Sequence, residues 1–199
     1  MSVCSRLRAF VCLRFDALTQ MPPVDWMSSS KWSPTMAQGG IFATDGSSPW
    51  GTANRIYIKY CSSDFWSGDV GASDATFGYA FRGARIVAAT ITDLLENQGM
   101  GSQPNAQLLF GGCSAGAIGA MNNMDSVAAQ LPPNVAVKGF LDAAALLNIQ
   151  PTGWEWSSQL ETLQSLVAKV AANINPVFPP YCAANFPGEE WKCLIGQVR

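Results

Sequence analysis

The chain has 199 residues, of which 48% are apolar and 13% charged, and its formal net charge is −2. That length holds one domain with a sizeable core, and the composition excludes a disordered chain. The slight negative charge argues against a nucleic-acid or anionic-membrane partner, and no apolar run approaches the roughly 20 residues of a membrane span.

Residues 1–53 read as an irregular N-terminal part. Spacing there predicts a helix over 5–18 and a short second one over 26–32. As a secretory leader the N-terminus is poor, because Arg14 interrupts the apolar stretch Ala9–Leu13. Gly39-Gly40 reads as a plain turn, since no strand is expected before it.

Residues 54–148 read as a β-α-β-α-β core. The β-rich run 54–61 is expected to begin the sheet. The polar loop 62–73 follows. In it Phe65 and Trp66 are candidate pocket residues, with packing beneath the loop the competing role. Asp64 and Asp69 read as turn residues rather than metal ligands. Residues 79–98 form a helix by spacing, with Gly99 as its stop, and Arg82 and Arg85 on its solvent side. A strand over 106–110 comes next.

The stretch after that strand carries the chemistry. Gly112-Cys113-Ser114-Ala115-Gly116 sits between an apolar run and a small-residue helix, 115–130. This is the G-x-S-x-G nucleophile elbow in its expected setting. Ser114 is the candidate catalytic nucleophile. The N–H of Ala115 is the candidate oxyanion donor, and Gly112 and Gly116 let the turn pass close to its neighbours. Leu131-Pro132-Pro133 ends the helix, and a strand over 135–141 leads to Asp142. Alternating strands and helices imply a mostly parallel sheet with helices on both faces.

Residues 149–199 hold a helix over 159–172 and a Pro-rich loop. Glu189-Glu190 reads as solvated. Cys182 and Cys193 flank a loop containing Pro187-Gly188, a plausible short disulfide. Cys61 has Cys12 or Cys4 as candidate partners, and Cys113 reads as a small buried thiol. No cofactor or metal site is expected. The sequence contains no histidine, the base that an elbow serine normally requires.

Several stretches together resemble the pectin acetylesterase/Notum family: Tyr60-Cys-Ser-Ser-Asp-Phe-Trp-Ser-Gly68, Tyr79-Ala-Phe-Arg-Gly-Ala84, Gly112-Cys-Ser-Ala-Gly116, Asn122 to Asp125, Lys138-Gly-Phe-Leu-Asp142 and Gly188-Glu-Glu-Trp-Lys-Cys193. They run in family order from about Trp26 to Cys193. The resemblance implies an incomplete α/β-hydrolase domain over 1–199, with terminal strands missing. It further implies a secreted serine carboxylesterase that removes acetyl from pectin or palmitoleate from a protein. Ser114 falls on the family nucleophile, Ala115 on its oxyanion residue, and Cys182 and Cys193 on family cysteines. The family's Gly-Gly-Gly-Trp strand is expected upstream of residue 1, and its catalytic Asp and His beyond Arg199. Asp142 matches an acid that is not the triad acid; its expected role is to hold loop amides near the site, with substrate contact as the lesser alternative. Ala117 stands where a glycine is usual.

Three functions follow: the nucleophile-bearing piece of an ester hydrolase, inactive alone; a non-catalytic binder of acylated polysaccharide or protein; or an incomplete gene product. The oligomeric state is open.

Overall fold

The computed structural model describes residues 8–14, 39–144 and 163–195. Four strands form one parallel sheet: β1 (Arg8–Arg14), β2 (Asn54–Lys59), β3 (Ala106–Cys113) and β4 (Val135–Asp142), in the spatial order β2-β1-β3-β4. The sheet therefore does not begin at residue 54. Residues 8–14 are a strand rather than the helix that spacing predicts. The uninterrupted apolar run Ala9–Leu13 explains the difference: a parallel strand with a neighbour on each side reads as continuous apolar sequence, and so does a short buried helix.

Two helices cover one face of this sheet. α1 (Gly83–Glu96) buries Ala84, Val87, Ile91 and Leu94, and α2 (Ala115–Gln130) buries nearly its whole first half. Both meet the β3 side chains Leu108 and Phe110 in the main core. Topology accounts for the shared face. The crossovers β2-α1-β3 and β3-α2-β4 advance in the same direction across the sheet, so right-handedness puts both helices on one side. The β1-to-β2 connection runs the other way. Its described 3-10 turn, Gly40–Phe42, packs Phe42 and Ile41 with Tyr57, Leu109 and Phe140 on the opposite face.

Element boundaries depart from expectation where tertiary contacts intervene. α1 starts at Gly83 instead of near residue 79, because Phe81 is taken into an antiparallel bridge with Val70. The two exchange N–H···O bonds of 2.8 and 3.0 Å. Gly99, at φ +71°, ends the helix as expected, and the Met100 N–H returns to the Leu94 carbonyl. β3 continues three residues past Phe110, since Gly111, Gly112 and Cys113 stay in register with both β1 and β4.

α3 (Leu163–Ile174) and α4 (Pro180–Asn185) precede a 3-10 segment, Glu190–Ile195. The expected start of α3 at residue 159 and the expected helix 26–32 lie outside the described residues. Cys182 and Cys193 are disulfide-bonded, Cα–Cα 5.9 Å. Cys61 remains a free thiol. Strand register explains why it does not pair with Cys12: Cys12 stands opposite Tyr57, four residues earlier. Glu189 pairs with Lys192, and the Glu190 carboxylate accepts the Gly188 N–H, so both acids stabilise the local turn.

α2 approaches the β2–α1 loop at Gly119. A Cβ there would lie 2.5 Å from Trp66 Cβ, 2.7 Å from its ring and 2.8 Å from the Phe65 carbonyl oxygen. Gly119→Ala is expected to destabilise the fold by about 1–3 kcal/mol, the usual cost of overpacking, despite alanine's better helix propensity. Chemical denaturation measures this; an unchanged or raised midpoint would contradict the packing account.

Candidate active site

Ser114 is the hinge between β3 and α2. Its backbone sits at φ +55°, ψ −124°, a conformation that L residues adopt only when their surroundings enforce it. Three bonds enforce it here. The Ser114 N–H donates to the Asp142 carbonyl at 2.9 Å, and the Ser114 carbonyl accepts from the N–H groups of Ala117 and Ile118 at 2.9 and 3.1 Å. The side chain is left exposed at the carboxyl end of the sheet, while Gly112, Ala115, Gly116 and Ala117 are buried around it.

Strand ends converge on this point. Cys113 stands opposite both Arg14 and Asp142, so β1, β3 and β4 end level with one another. Ligands in open parallel sheets bind beyond such carboxyl ends. Ala115 and Gly116 occupy the first two positions of α2, and their N–H groups have no backbone acceptor among the described residues. Such unspent donors, at the positive end of a helix, suit a developing oxyanion.

The other singled-out residues are placed differently. Asp142 contributes its carbonyl rather than its carboxylate: the side chain is exposed and holds no loop amide among the described residues. Trp66 does not line a pocket. It is fully buried, 5.1 Å from the Tyr60 ring, and belongs to the main core. Phe65 is half-buried, its N–H donating to the Tyr60 hydroxyl at 2.7 Å. Cys113 is half-buried at the end of β3. Arg85 forms an ion pair with Asp69, as its solvent-side position suggested. Among the described residues no group of His, Cys, Asp or Glu is arranged to hold a metal. A groove of about 410 Å³ lined by Asn54, Arg55, Asp93 and Gln98 lies at the amino end of β2, away from Ser114.

Asp64 is the residue that sequence reading undervalued. Its carboxylate is fully buried and accepts three bonds: from the Ser62 hydroxyl at 2.5 Å, the Trp66 N–H at 3.0 Å and the Gly83 N–H at 2.7 Å. It thereby ties the loop after β2 to the start of α1. Ser63, Phe65 and Trp66 all take positive φ around it. The loop in turn is fastened to α2, where Asn123 Nδ2 donates to the Trp66 carbonyl at 2.8 Å. A Ser-x-Asp triplet in the sequence hints at the local part of this knot. The bond to Gly83, 19 residues away, leaves no local signature.

Burial pushes the Asp64 carboxyl above its usual 3.8, while the three donors pull it back. With the folded-state value raised, protonation favours the folded chain. That contribution is fully present below 3.8 and is lost as pH rises through the raised value. The difference in unfolding free energy between wild type and Asp64→Asn is therefore expected to shift against wild type as pH climbs through that window. A shift in wild type's favour would show that the three donors outweigh burial.

Comparison with known proteins agrees with this geometry. The pectinacetylesterase family model matches residues 10–198. A palmitoleoyl-protein carboxylesterase notum1' of Xenopus laevis is 32% identical over 196 residues, 92% of this chain and 38% of that protein. Human palmitoleoyl-protein carboxylesterase NOTUM is 32% identical over 194 residues, covering 92% and 37%. The solved Wnt deacylase Notum from Drosophila superposes with a TM-score of 0.83 at 27% identity, covering 98% of this chain and 61% of that one. The chain thus spans less than two-fifths of the length of these curated relatives.

Proposed function

The chain belongs to the pectinacetylesterase family, and on that premise we propose that it carries the nucleophile-bearing part of a secreted O-acyl ester hydrolase. The observation that carries the reading is Ser114, exposed at a strained strand-to-helix turn beside the Ala115 N–H, which has no backbone acceptor among the described residues. Ser114 Oγ attacks the ester carbonyl carbon and yields its proton to a base. Negative charge on the carbonyl oxygen is met by the Ala115 N–H. Collapse of the tetrahedral intermediate expels the alcohol, and water then hydrolyses the acyl-serine.

The base must come from outside this chain, which holds no histidine. A second oxyanion donor normally comes from the loop after the strand beside the nucleophile strand. β1 is such a strand, ending at Arg14 level with Cys113. The sequence that follows, Phe15-Asp16-Ala17-Leu18, is not the family's Gly-Gly-Gly-Trp. The acyl group is acetyl on a polysaccharide, as the family description suggests, or a longer chain on a protein, as for the Notum relatives. The Cys182–Cys193 disulfide supports an oxidising, extracellular setting. Among the described residues no helix is long and apolar enough to cross a membrane.

The missing histidine also favours a second reading, in which the chain binds acylated ligands without turning them over. Both readings predict the same outcome in one assay. A general base is worth about 10²–10⁴ in rate and one oxyanion donor about 10²–10³. Hydrolysis of p-nitrophenyl acetate by the purified chain is therefore expected to match that of Ser114→Ala. A large Ser114-dependent rate would show that the chain supplies its own base. Retention on acetylated pectin, lost after deacetylation of the matrix, separates the binding reading from the hydrolase-fragment reading.

A further inference from the structure

The two strands that meet at the candidate site each end on a residue with positive φ. Ser114, after β3, has φ +55°, and Ala143, after β4, has φ +54°. One hydrogen bond lies between them, from the Ser114 N–H to the Asp142 carbonyl at 2.9 Å. It extends the β3–β4 ladder one step beyond the Cys113–Asp142 pair. The N–H belongs to the peptide plane between Cys113 and Ser114, and the carbonyl to the plane between Asp142 and Ala143. Each plane therefore leads directly into the N–Cα bond that carries the positive φ. Alanine, unlike glycine, is disfavoured there. The Ala143 side chain is exposed, so packing does not impose the conformation.

A local motion would relieve Ala143. Turning over the plane between Asp142 and Ala143 changes ψ of the first and φ of the second in opposite senses. That leaves the Cα atoms in place and makes φ of Ala143 negative, as when a type II turn becomes type I. It also swings the Asp142 carbonyl away from β3, and the Ser114 N–H loses its acceptor. The positive φ at residue 143 and the bond that holds Ser114 in its strained turn are therefore tied to one orientation of one peptide plane. Taking Ser114 as the nucleophile of the ester-hydrolase reading, we propose that Ala143 is a positioning residue for it. A residue that tolerates positive φ at 143 keeps the carbonyl turned toward β3 and Ser114 in place. A β-branched residue, for which positive φ is a severe outlier, turns the plane over and releases Ser114.

Asparagine and valine are of similar size and differ in this tolerance. Amide hydrogen exchange of the purified chain, read at Ser114, therefore tests the proposal. In Ala143→Val the Ser114 amide is expected to exchange about tenfold faster than in wild type, as the loss of one hydrogen bond requires. The amides of Leu108 and Phe110, farther back in β3, should keep their rates. Ala143→Asn and Ala143→Gly should retain the protection at Ser114. Ala143→Thr, β-branched but polar, is expected to follow Ala143→Val. Ala144→Val, one residue on where φ is not positive, is expected to follow wild type. Fluorophosphonate labelling of Ser114 with added imidazole should fall in the two β-branched variants at residue 143 and not in the others. Equal Ser114 protection in Ala143→Val and Ala143→Asn, whether kept or lost in both, would overturn the proposal. Failure of the ester-hydrolase reading would show separately, as no labelling of any chain, wild type included, beside an intact exchange pattern.

Discussion

The hydrogen bond from the Ser114 N–H to the Asp142 carbonyl is the constraint on which the candidate site depends. A serine at φ +55° is unfavourable in isolation by about 1–3 kcal/mol, and it persists only where neighbours over-determine it. Here β4 supplies the acceptor from one side, and the first turn of α2 claims the Ser114 carbonyl from the other. The turn is thus stretched between the last residue of one strand and the first residues of a helix. Its consequence is chemical: Ser114 is exposed, while the first N–H groups of α2 have no backbone acceptor among the described residues.

That arrangement needs α2 held close to the sheet, and small residues make it possible. Ala115, Gly116, Ala117, Gly119 and Ala120 are all buried, so the helix axis lies nearer its neighbours than larger side chains would allow. Trp66 fills the space against Gly119, and Asn123 bonds to the Trp66 carbonyl. Asp64 then holds Trp66 and the start of α1 through a single buried carboxylate. A chain of packing and hydrogen bonds therefore runs from the loop after β2, through α2, to the nucleophile turn.

Much of this was legible in the sequence, and the failures share a cause. The run Phe110-Gly-Gly-Cys-Ser-Ala-Gly announces strand, turn and helix by local chemistry, and α2 spans 115–130 as expected. Cys182 and Cys193 bracket a short loop and are joined. Residues 8–14 were misread because a five-residue apolar run has no period that separates a central strand from a buried helix. Phe81 fits a helical spacing but is claimed by Val70, while Trp66, whose spacing leaves pocket and packing both open, packs beneath its loop against Gly119 in the core. Asp64 was invisible as a buried carboxylate because its partners are assembled by the fold rather than by spacing.

The function follows the same division. An elbow is a local device that a short stretch of sequence can show, whereas a triad is an assembly of distant residues; this chain spans under two-fifths of its curated relatives' length and contains no histidine. In the proposed reading Ser114, exposed at its strained turn, needs only a base that this histidine-free chain does not hold. Treatment with a fluorophosphonate, followed by intact-mass and peptide analysis, tests that most directly when run with and without added imidazole as a free base. Negligible adduct is expected without imidazole and a Ser114 adduct with it, absent from Ser114→Ala. Rapid labelling of Ser114 without imidazole, or no Ser114 labelling under either condition, would contradict it.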